Sequence, residues 1–368
     1  MRPSILHVIT TIDRGGAENH LLELARAQVK KGHKVTVAYL KGAAEQKENF
    51  RSAGVEVIQG GKSFFAQFAK IHKLARSGLY PIIHAHLPQA ELACLGIPNH
   101  IISRHNTEPF VPGAPKFISS FIARTCTYRS TIIAISTAVK DYAKENAMIT
   151  SHIPISVVYY GINHQDFQLH DFDREKWRQQ EFNCEPEDFV FGTISRLVPQ
   201  KDLQTLINAF SKISKEIMCK LVMVGDGVQR NELEKLVKSL NLESKVHFLG
   251  KRQDVPEFLH GIDAFALTSK YEGLGLVLLE ALASEVPIIA ARNSAIKEIV
   301  NDDVALMFET SSVIQLETAM KELINNPAET KQRVSRGKIR VQQNFGVDSM
   351  LNGTEKVYSS ILERNREQ

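Results

Sequence analysis

The stretch "DAFALTSKYEGLGLVLLEALASEVPIIAA", Asp263 to Ala291, decides how the chain folds. "DAFALTS" and "VPIIAA" are short, largely apolar runs of strand length, and "LGLVLLEALA" between them reads as a helix. Strand, loop, helix and strand in one short segment make a crossover of the kind that joins parallel strands. Two carboxylates, Glu272 and Glu280, bracket a run that holds only apolar residues and the glycines Gly273 and Gly275. The strand is expected to end near Thr268 and the helix to start around Leu274, which leaves Glu272 in the loop and puts Glu280 on the helix.

Outward from this segment the same rhythm repeats. Towards the N-terminus lie "FVFGTIS", "KLVMVG" and "KVHFLG", each followed by a helical pattern. Earlier still come "SILHVIT", "KVTVAYL", "PIIHAH", "HIISRH", "TIIAIS" and "ISVVYY". A polar interval, "GINHQDFQLHDFDREKWRQQ", separates the two series. The expected architecture is therefore α/β, with two Rossmann-like doubly wound domains. Their expected bounds are 1–163 and 164–345, followed by a helical tail, 346–368. That tail can pack on its own domain or cross back to the first.

Bulk properties agree with this picture. A chain of 368 residues exceeds what one core usually serves. Its 43% hydrophobic and 23% charged residues are those of a globular protein. No window is long and apolar enough for a membrane span, and "MRPSILHVIT" reads as a first strand rather than a leader. A cytoplasmic protein is expected, with peripheral attachment to the inner face of a membrane left open. Cys94, Cys126, Cys184 and Cys219 show no metal spacing and are expected as reduced thiols. Charge is divided: residues 1–163 hold 19 Lys and Arg against 10 Asp and Glu, whereas residues 164–368 hold 26 against 31. The basic half suits an anionic partner or a solvated face.

Ligands of open α/β sheets bind beyond the carboxyl ends of the strands. "TTIDRGGAEN" places Gly15 and Gly16 there, before a helix, where bare amides can approach a phosphate or simply turn the chain. "SRLVPQKD" offers Arg196 and Lys201, a fork and a mobile point charge suited to a diphosphate. "VGDG", with Gly225 and Gly227, reads as a turn into a helix. "LGKRQD" supplies Lys251 and Arg252. From Glu272 to Glu280, eight helical residues would rise about 12 Å, comparable to the reach of a nucleotide sugar. Glu280 could hold a ribose diol and Glu272 a hexose, with phosphate oxygens at the helix start between them. A glutamate favoured by the helix dipole, or one facing water, is the simpler alternative.

This set of motifs resembles the family 4 glycosyltransferases of the GT-B fold, in which two Rossmann-like domains face each other across a cleft. The likeness rests on Gly15 and Gly16, on Arg196 and Lys201, and on Glu272 and Glu280 within "EGLGLVLLEALASEVPIIA", and it extends over nearly the whole chain. It implies a nucleotide-sugar donor, UDP-linked by first expectation, and retention of configuration without a metal or other cofactor. It further implies that Arg196 and Lys201 stabilise the leaving diphosphate and that Gly16 offers it an amide. Glu280 would bind the ribose. Glu272, with Gly273 and the amides of Leu274, Gly275 and Leu276, would orient the donor. The Lys251 and Arg252 loop would hold the base, and His105 in "SRHNTEP" would reach the donor sugar. The chain departs from the family at Leu274, where an aromatic residue is frequent, and at "YGIN", Tyr160 to Asn163, where "NG-x-D" is common.

The acidic runs "DFD", Asp171 to Asp173, and "NDD", Asn301 to Asp303, are not expected to bind metal. The acceptor is expected to be a glycan or a lipid-linked sugar, in surface polysaccharide or glycolipid synthesis, and no nucleic-acid partner is expected. Residues 60–130 carry eight Lys and Arg against two acids, interleaved with Phe64, Phe65, Phe68, Phe117 and Phe121. Such helices can lie on an anionic lipid surface or pack on the sheet. The rivals are a GT-B-like epimerase or phosphorylase, which lacks visible acid/base carboxylates or a pyridoxal lysine, and a non-catalytic nucleotide-sugar-binding subunit. A nicotinamide oxidoreductase lacks its glycine fingerprint. Lys201→Ala is expected to abolish turnover with thermal stability nearly unchanged.

Overall fold

The computed structural model describes residues 2–367, and side chains as far as residue 364. Met1 and Gln368, the outer ends of the expected first domain and tail, lie outside the described residues. The chain divides into two units, Met1–Ile162 with Phe345–Gln368, and Asn163–Asn344.

The first unit is built on seven parallel strands: β1 (Ile5–Ile9), β2 (Val35–Tyr39), β3 (Glu56–Gln59), β4 (Ile82–His86), β5 (Ile101–Arg104), β6 (Thr131–Ala134) and β7 (Ile155–Val157), in the order β3-β2-β1-β4-β5-β6-β7. Ile5 of β1 sits between Val35 of β2 and Ile82 of β4. Alternate residues of a strand face opposite sides. Ile5 and Ile9 therefore join one buried cluster with Leu21 and Leu24 of the helix Gly16–Lys30, whereas Leu6 and Val8 join another with Ile71, Ala90 and Ala93. Both faces are covered, as a parallel sheet requires. The last helix, Val347–Glu367, packs on the first cluster through Met350, Leu351, Tyr358 and Ile361. Lys31 Nζ meets Glu355 at 2.6 Å and Arg364 Nη2 donates to Thr131 Oγ1 at 2.8 Å, fixing that helix at its middle and near its end.

The second unit has six parallel strands: β8 (Phe189–Ile194), β9 (Cys219–Val224), β10 (Val246–Gly250), β11 (Ala264–Leu267), β12 (Ile288–Ala291) and β13 (Leu306–Phe308), ordered β10-β9-β8-β11-β12-β13. The opening segment is β11, a loop, the helix Leu276–Ala283 and β12, with Phe265 paired to Ile288. Strands β3 and β13 are absent from the sequence reading. The first is half-exposed at a sheet edge and the second is three residues long, so neither carries a sustained apolar pattern.

Asp173 accepts from Lys176 N at 3.1 Å and caps the helix Arg174–Phe182, and Asp302 pairs with Arg292 at 2.7 Å. Both acidic runs thus have structural duties. The four cysteines are free and buried, and burial pushes the Cys126 thiol up to about 12 and those of Cys184 and Cys219 up to about 11. Among the described residues no helix is long and apolar enough to cross a membrane.

Candidate active site

In the second unit, two loops at the carboxyl ends of neighbouring strands are stitched together. The loop after β8 makes a short turn, Pro199–Lys201, and then places Asp202 in the left-handed region at φ 51°. Thr205 Oγ1 at 3.0 Å and Ser311 Oγ at 2.5 Å both donate to Asp202 Oδ2 and hold that bend. The loop after β11 lies against it. Thr268 Oγ1 donates to the Lys201 carbonyl at 2.7 Å, Lys270 N to the Gln200 carbonyl at 2.8 Å, and Gln200 Nε2 to the Tyr271 carbonyl at 2.8 Å.

This stitching brings Lys201 Nζ to 2.5 Å from Glu272 Oε1, and Ser269 Oγ donates to the same oxygen at 2.6 Å. The paired side chains are only 13% and 10% exposed, so their attraction is weakly screened by water. Arg196 lies on the same loop as Lys201 but is exposed, with Gln200 Oε1 at 3.4 Å as its neighbour. Asn293 Nδ2 donates to the Ser269 carbonyl at 3.0 Å from the end of the next strand. The edge therefore presents one compensated cation, one open cation and a carboxylate held by Lys201 and Ser269.

The "VGDG" loop is more than a turn. A Cβ on Gly225 would come within 1.8 Å of the Ser195 carbonyl oxygen, and one on Gly227 within 2.4 Å of that of Leu197. These glycines let the loop lie against the backbone that carries Arg196.

The helix begins at Leu276 rather than around Leu274, because Gly275, at φ 93°, is its N-cap. Gly273 and Leu274 belong to the loop, and Leu274 is buried. Only Leu276 to Glu280 is helical, a rise of about 6 Å, so the remaining separation of the two glutamates comes from the loop. First-turn amides of such a helix have no intrahelical acceptor and suit an anion. Glu280 sits one turn further on, between Leu279 and Ala281, both fully buried. Burial raises its carboxyl to about 7. Arg252, expected on a loop that holds the base, has its side chain engaged within its own unit. Its guanidinium is clamped by Asp254 and Glu181, which raise its pKa further, and lies 5.5 Å from the Trp177 ring. Lys251 beside it is exposed.

In the first unit, Gly15 is the extended N-cap of the helix Gly16–Lys30, and nothing lies within 4 Å of where a Gly16 Cβ would stand. His105, beyond β5, is half-buried, and both its ring nitrogens are engaged: Nδ1 with Tyr160 Oη at 2.6 Å and Nε2 with His86 Nδ1 at 3.2 Å. Its side chain reaches a ligand only by releasing one of them. Sequence spacing does not reveal Thr268 and Gln200, which bond backbone carbonyls 67 and 71 residues away, or Asp202, which accepts from Ser311 109 residues away; Ser269, only three residues before Glu272, gives no signal of its own.

Two parallel sheets of this kind, with basic and acidic groups gathered beyond the strand ends, define the GT-B class of glycosyltransferase. The chain belongs to glycosyltransferase family 4: the Glycosyltransferase Family 4 description matches residues 14–166 and that of Glycosyl transferases group 1 matches residues 173–340. It is 25% identical over 303 residues to the N-acetyl-alpha-D-glucosaminyl L-malate synthase of Bacillus anthracis, covering 80% of this chain and 78% of that one. With the capsular polysaccharide biosynthesis glycosyltransferase CapM of Staphylococcus aureus it shares 26% identity over 265 residues, 69% of this chain and 68% of that one. The crystal structure of Anabaena Alr3699/HepE in complex with UDP and glucose has the same fold, with a TM-score of 0.84 at 23% identity over 98% of this chain and 100% of that one. The chain is thus a glycosyltransferase.

Proposed function

We propose that the enzyme moves a hexose-type sugar from a UDP-linked donor, with retention at the anomeric carbon and without a metal, to a glycan or lipid-linked acceptor in surface polysaccharide or glycolipid synthesis. The donor reading draws support from the UDP in the Anabaena structure, and the acceptor reading from the capsular role named for the S. aureus relative. The observation that carries it is the joining of Lys201, Glu272 and Ser269 at one strand edge, beside the open cation Arg196. Cleavage of the bond to the diphosphate develops charge on the leaving oxygen, and preplaced cations and helix amides stabilise it. Arg196, with no carboxylate of its own among the described residues, supplies the uncompensated charge; Lys201 is shared between Glu272 and the phosphate. Glu280, in hydrogen-bond exchange with vicinal hydroxyls, takes the ribose.

Lys201 is a poor test residue. Its removal leaves the largely buried Glu272 carboxylate without its cation, and breaking such a pair costs about 3 to 5 kcal/mol. The unchanged stability expected for Lys201→Ala is therefore withdrawn. Arg196→Ala is the cleaner variant: turnover of UDP-sugar, followed by mass spectrometry across UDP-, GDP- and ADP-sugars, should drop roughly 100- to 1000-fold. Its melting temperature should stay at the parent value. Normal turnover by Arg196→Ala would sink the leaving-group reading.

On the acceptor side we propose an anionic membrane surface as a partner of the first unit. Phe65, Phe117 and Phe121 are 83%, 74% and 70% exposed, so these aromatics do not pack on the sheet. Lys62, Lys70, Lys73, Arg76, Lys116, Arg124 and Arg129 are exposed around them, whereas Arg104 is buried against Glu91 at 2.8 Å. Helices of a parallel crossover start at the carboxyl edge of the sheet, so the helices Phe64–Arg76 and Lys116–Cys126 present their aromatic first turns at the ligand-bearing edge. Sedimentation with vesicles rich in phosphatidylglycerol should retain the protein at low salt and release it at high salt. Absence from the vesicle pellet at low salt would remove this partner.

A further inference from the structure

Five histidines gather in the first unit beneath the carboxyl edge of its sheet. His84 and His86 are two apart on β4 and share a face, and His7 of β1 is register partner to His84. His20 comes from the helix Gly16–Lys30 and His105 from beyond β5. Four of them, His7, His84, His86 and His105, enter one unbroken series of hydrogen bonds. Tyr160 Oη meets His105 Nδ1 at 2.6 Å, His105 Nε2 meets His86 Nδ1 at 3.2 Å, and His86 Nε2 meets His7 Nδ1 at 3.0 Å. His7 Nε2 then meets Gln28 Oε1 at 2.8 Å, Gln28 Nε2 meets Tyr358 Oη at 3.2 Å, Tyr358 Oη meets His84 Nδ1 at 2.8 Å, and His84 Nε2 meets Ser103 Oγ at 2.8 Å.

The direction of the bonds from Gln28 to Tyr160 follows from one amide. A carbonyl oxygen only accepts, so His7 must donate from Nε2, and its Nδ1, left with a lone pair, must accept from His86 Nε2–H. By the same step His86 Nδ1 accepts from His105 Nε2–H, and His105 Nδ1 accepts from the Tyr160 hydroxyl. On the other side the Gln28 amide N–H is donated to Tyr358, whose buried hydroxyl has His84 Nδ1 as its other neighbour and donates to it, so that His84 Nε2–H points to Ser103. All four imidazoles are then neutral Nε2–H tautomers with Nδ1 as acceptor.

We propose that Gln28 is a positioning residue: it polarises the chain and thereby holds His105 as a neutral imidazole whose Nδ1 accepts a hydroxyl, either that of Tyr160 or that of a substrate that displaces it. The substrate half of this statement rests on the proposed function. The titratable groups around the chain are His20, stacked on Tyr160 at 4.1 Å between ring centroids, Tyr160 and Tyr358 themselves, Glu18, whose charge bears on Tyr160, and the more distant His33 and His100. No carboxylate hydrogen-bonds to any of His7, His84, His86 or His105 among the described residues. His7, His84 and His86 also have nitrogens within 4.8 Å of one another, the spacing of a metal triad, but each of their ring nitrogens already has a partner in the chain.

Long-range ¹⁵N–¹³C spectra of the histidine-labelled full-length enzyme test this directly. At pH 7, His7, His84, His86 and His105 should all give the Nε2–H pattern. Gln28→Met, close in volume but without acceptor or donor, should turn His7, His86 and His105 into tautomer mixtures and lower turnover while the Kd for free UDP holds. Tyr358→Phe, a change in the same buried region that leaves Gln28 Oε1 on His7, should keep those three as Nε2–H. Nδ1–H signals in the parent enzyme, Nε2–H signals surviving in Gln28→Met, or one equivalent of Zn²⁺ bound with shifts at His7, His84 and His86 would each overturn the proposal. A tautomer switch with unchanged turnover would overturn the substrate half and leave the polarised chain standing.

Discussion

Glu280 is the residue at which sequence and structure can be compared most closely. Its neighbours in "LVLLEALA" mark it as a carboxylate among apolar groups, and the fold keeps that surrounding: burial raises its carboxyl to about 7. The unfolded chain ionises it near its ordinary value of 4.5. Above 4.5 the unfolded state therefore gains from ionisation that the folded state does not share, and the native protein loses stability up to pH 7, beyond which the difference is constant. Glu280→Gln removes that penalty. It should be nearly neutral in melting temperature at pH 4.5, and more stable than the parent by on the order of 2 to 3 kcal/mol at pH 8. The same variant should bind UDP more weakly at pH 8, if the carboxylate takes the ribose. A stabilisation that is the same at both pH values would show that Glu280 ionises normally in the folded protein.

At the scale of elements, what could be read was whatever depends on local pattern. The strand and helix alternation is continuous in sequence, so β1, β2, β4 to β12 and the helices after them follow from it. Arg196, Lys201 and Glu272 could be found because they stand just after strands. What escaped were features made by loops meeting across the sheet: the pinning of Asp202 by Ser311, the hydrogen bonds from Thr268 and Lys270, and the packing of Gly225 against Ser195. No spacing rule joins residues so far apart in sequence. "VGDG" looked like a turn because its second duty, supporting the Arg196 loop, is visible only in three dimensions. Gly225 has φ 130° as well as the 1.8 Å approach, so Gly225→Ala should displace the Ser195 to Leu197 backbone. The cost should be about 2 kcal/mol or more. Urea unfolding measures it, and a midpoint equal to the parent's would show that the two loops are not tightly packed.

At the scale of the whole molecule, the histidines make the first unit the acid-sensitive part. "PIIHAH" held the signal, since an i, i+2 pair on a strand shares a face, but the sequence could not show that His7, His20 and His105 converge on the same place. Burial lowers His7 to about 4 and His105 to about 3, and pushes His20, His84 and His86 well below 6.5. The sign is opposite to that of a histidine gaining a carboxylate. Above 6.5 both folded and unfolded chains hold these rings neutral, and stability does not depend on them. Below 6.5 the unfolded chain binds protons that the folded unit refuses, so stability falls with pH until the folded values are reached. At pH 5 His7 and His105 each weaken the unit by about 2 kcal/mol, and His20, His84 and His86 act in the same direction. Several rings acting together approach the whole stability of a domain. The first unit should therefore unfold cooperatively between about pH 6 and 4.5, taking up several protons at once, while Trp177, in the second unit, still reports native fluorescence. Circular dichroism against pH, with Trp177 fluorescence followed in parallel, separates the two. Coincident transitions, or a first unit that is native at pH 4.5, would mean that the imidazoles protonate in place and that the hydrogen-bonded chain through Gln28 gives way before the fold does.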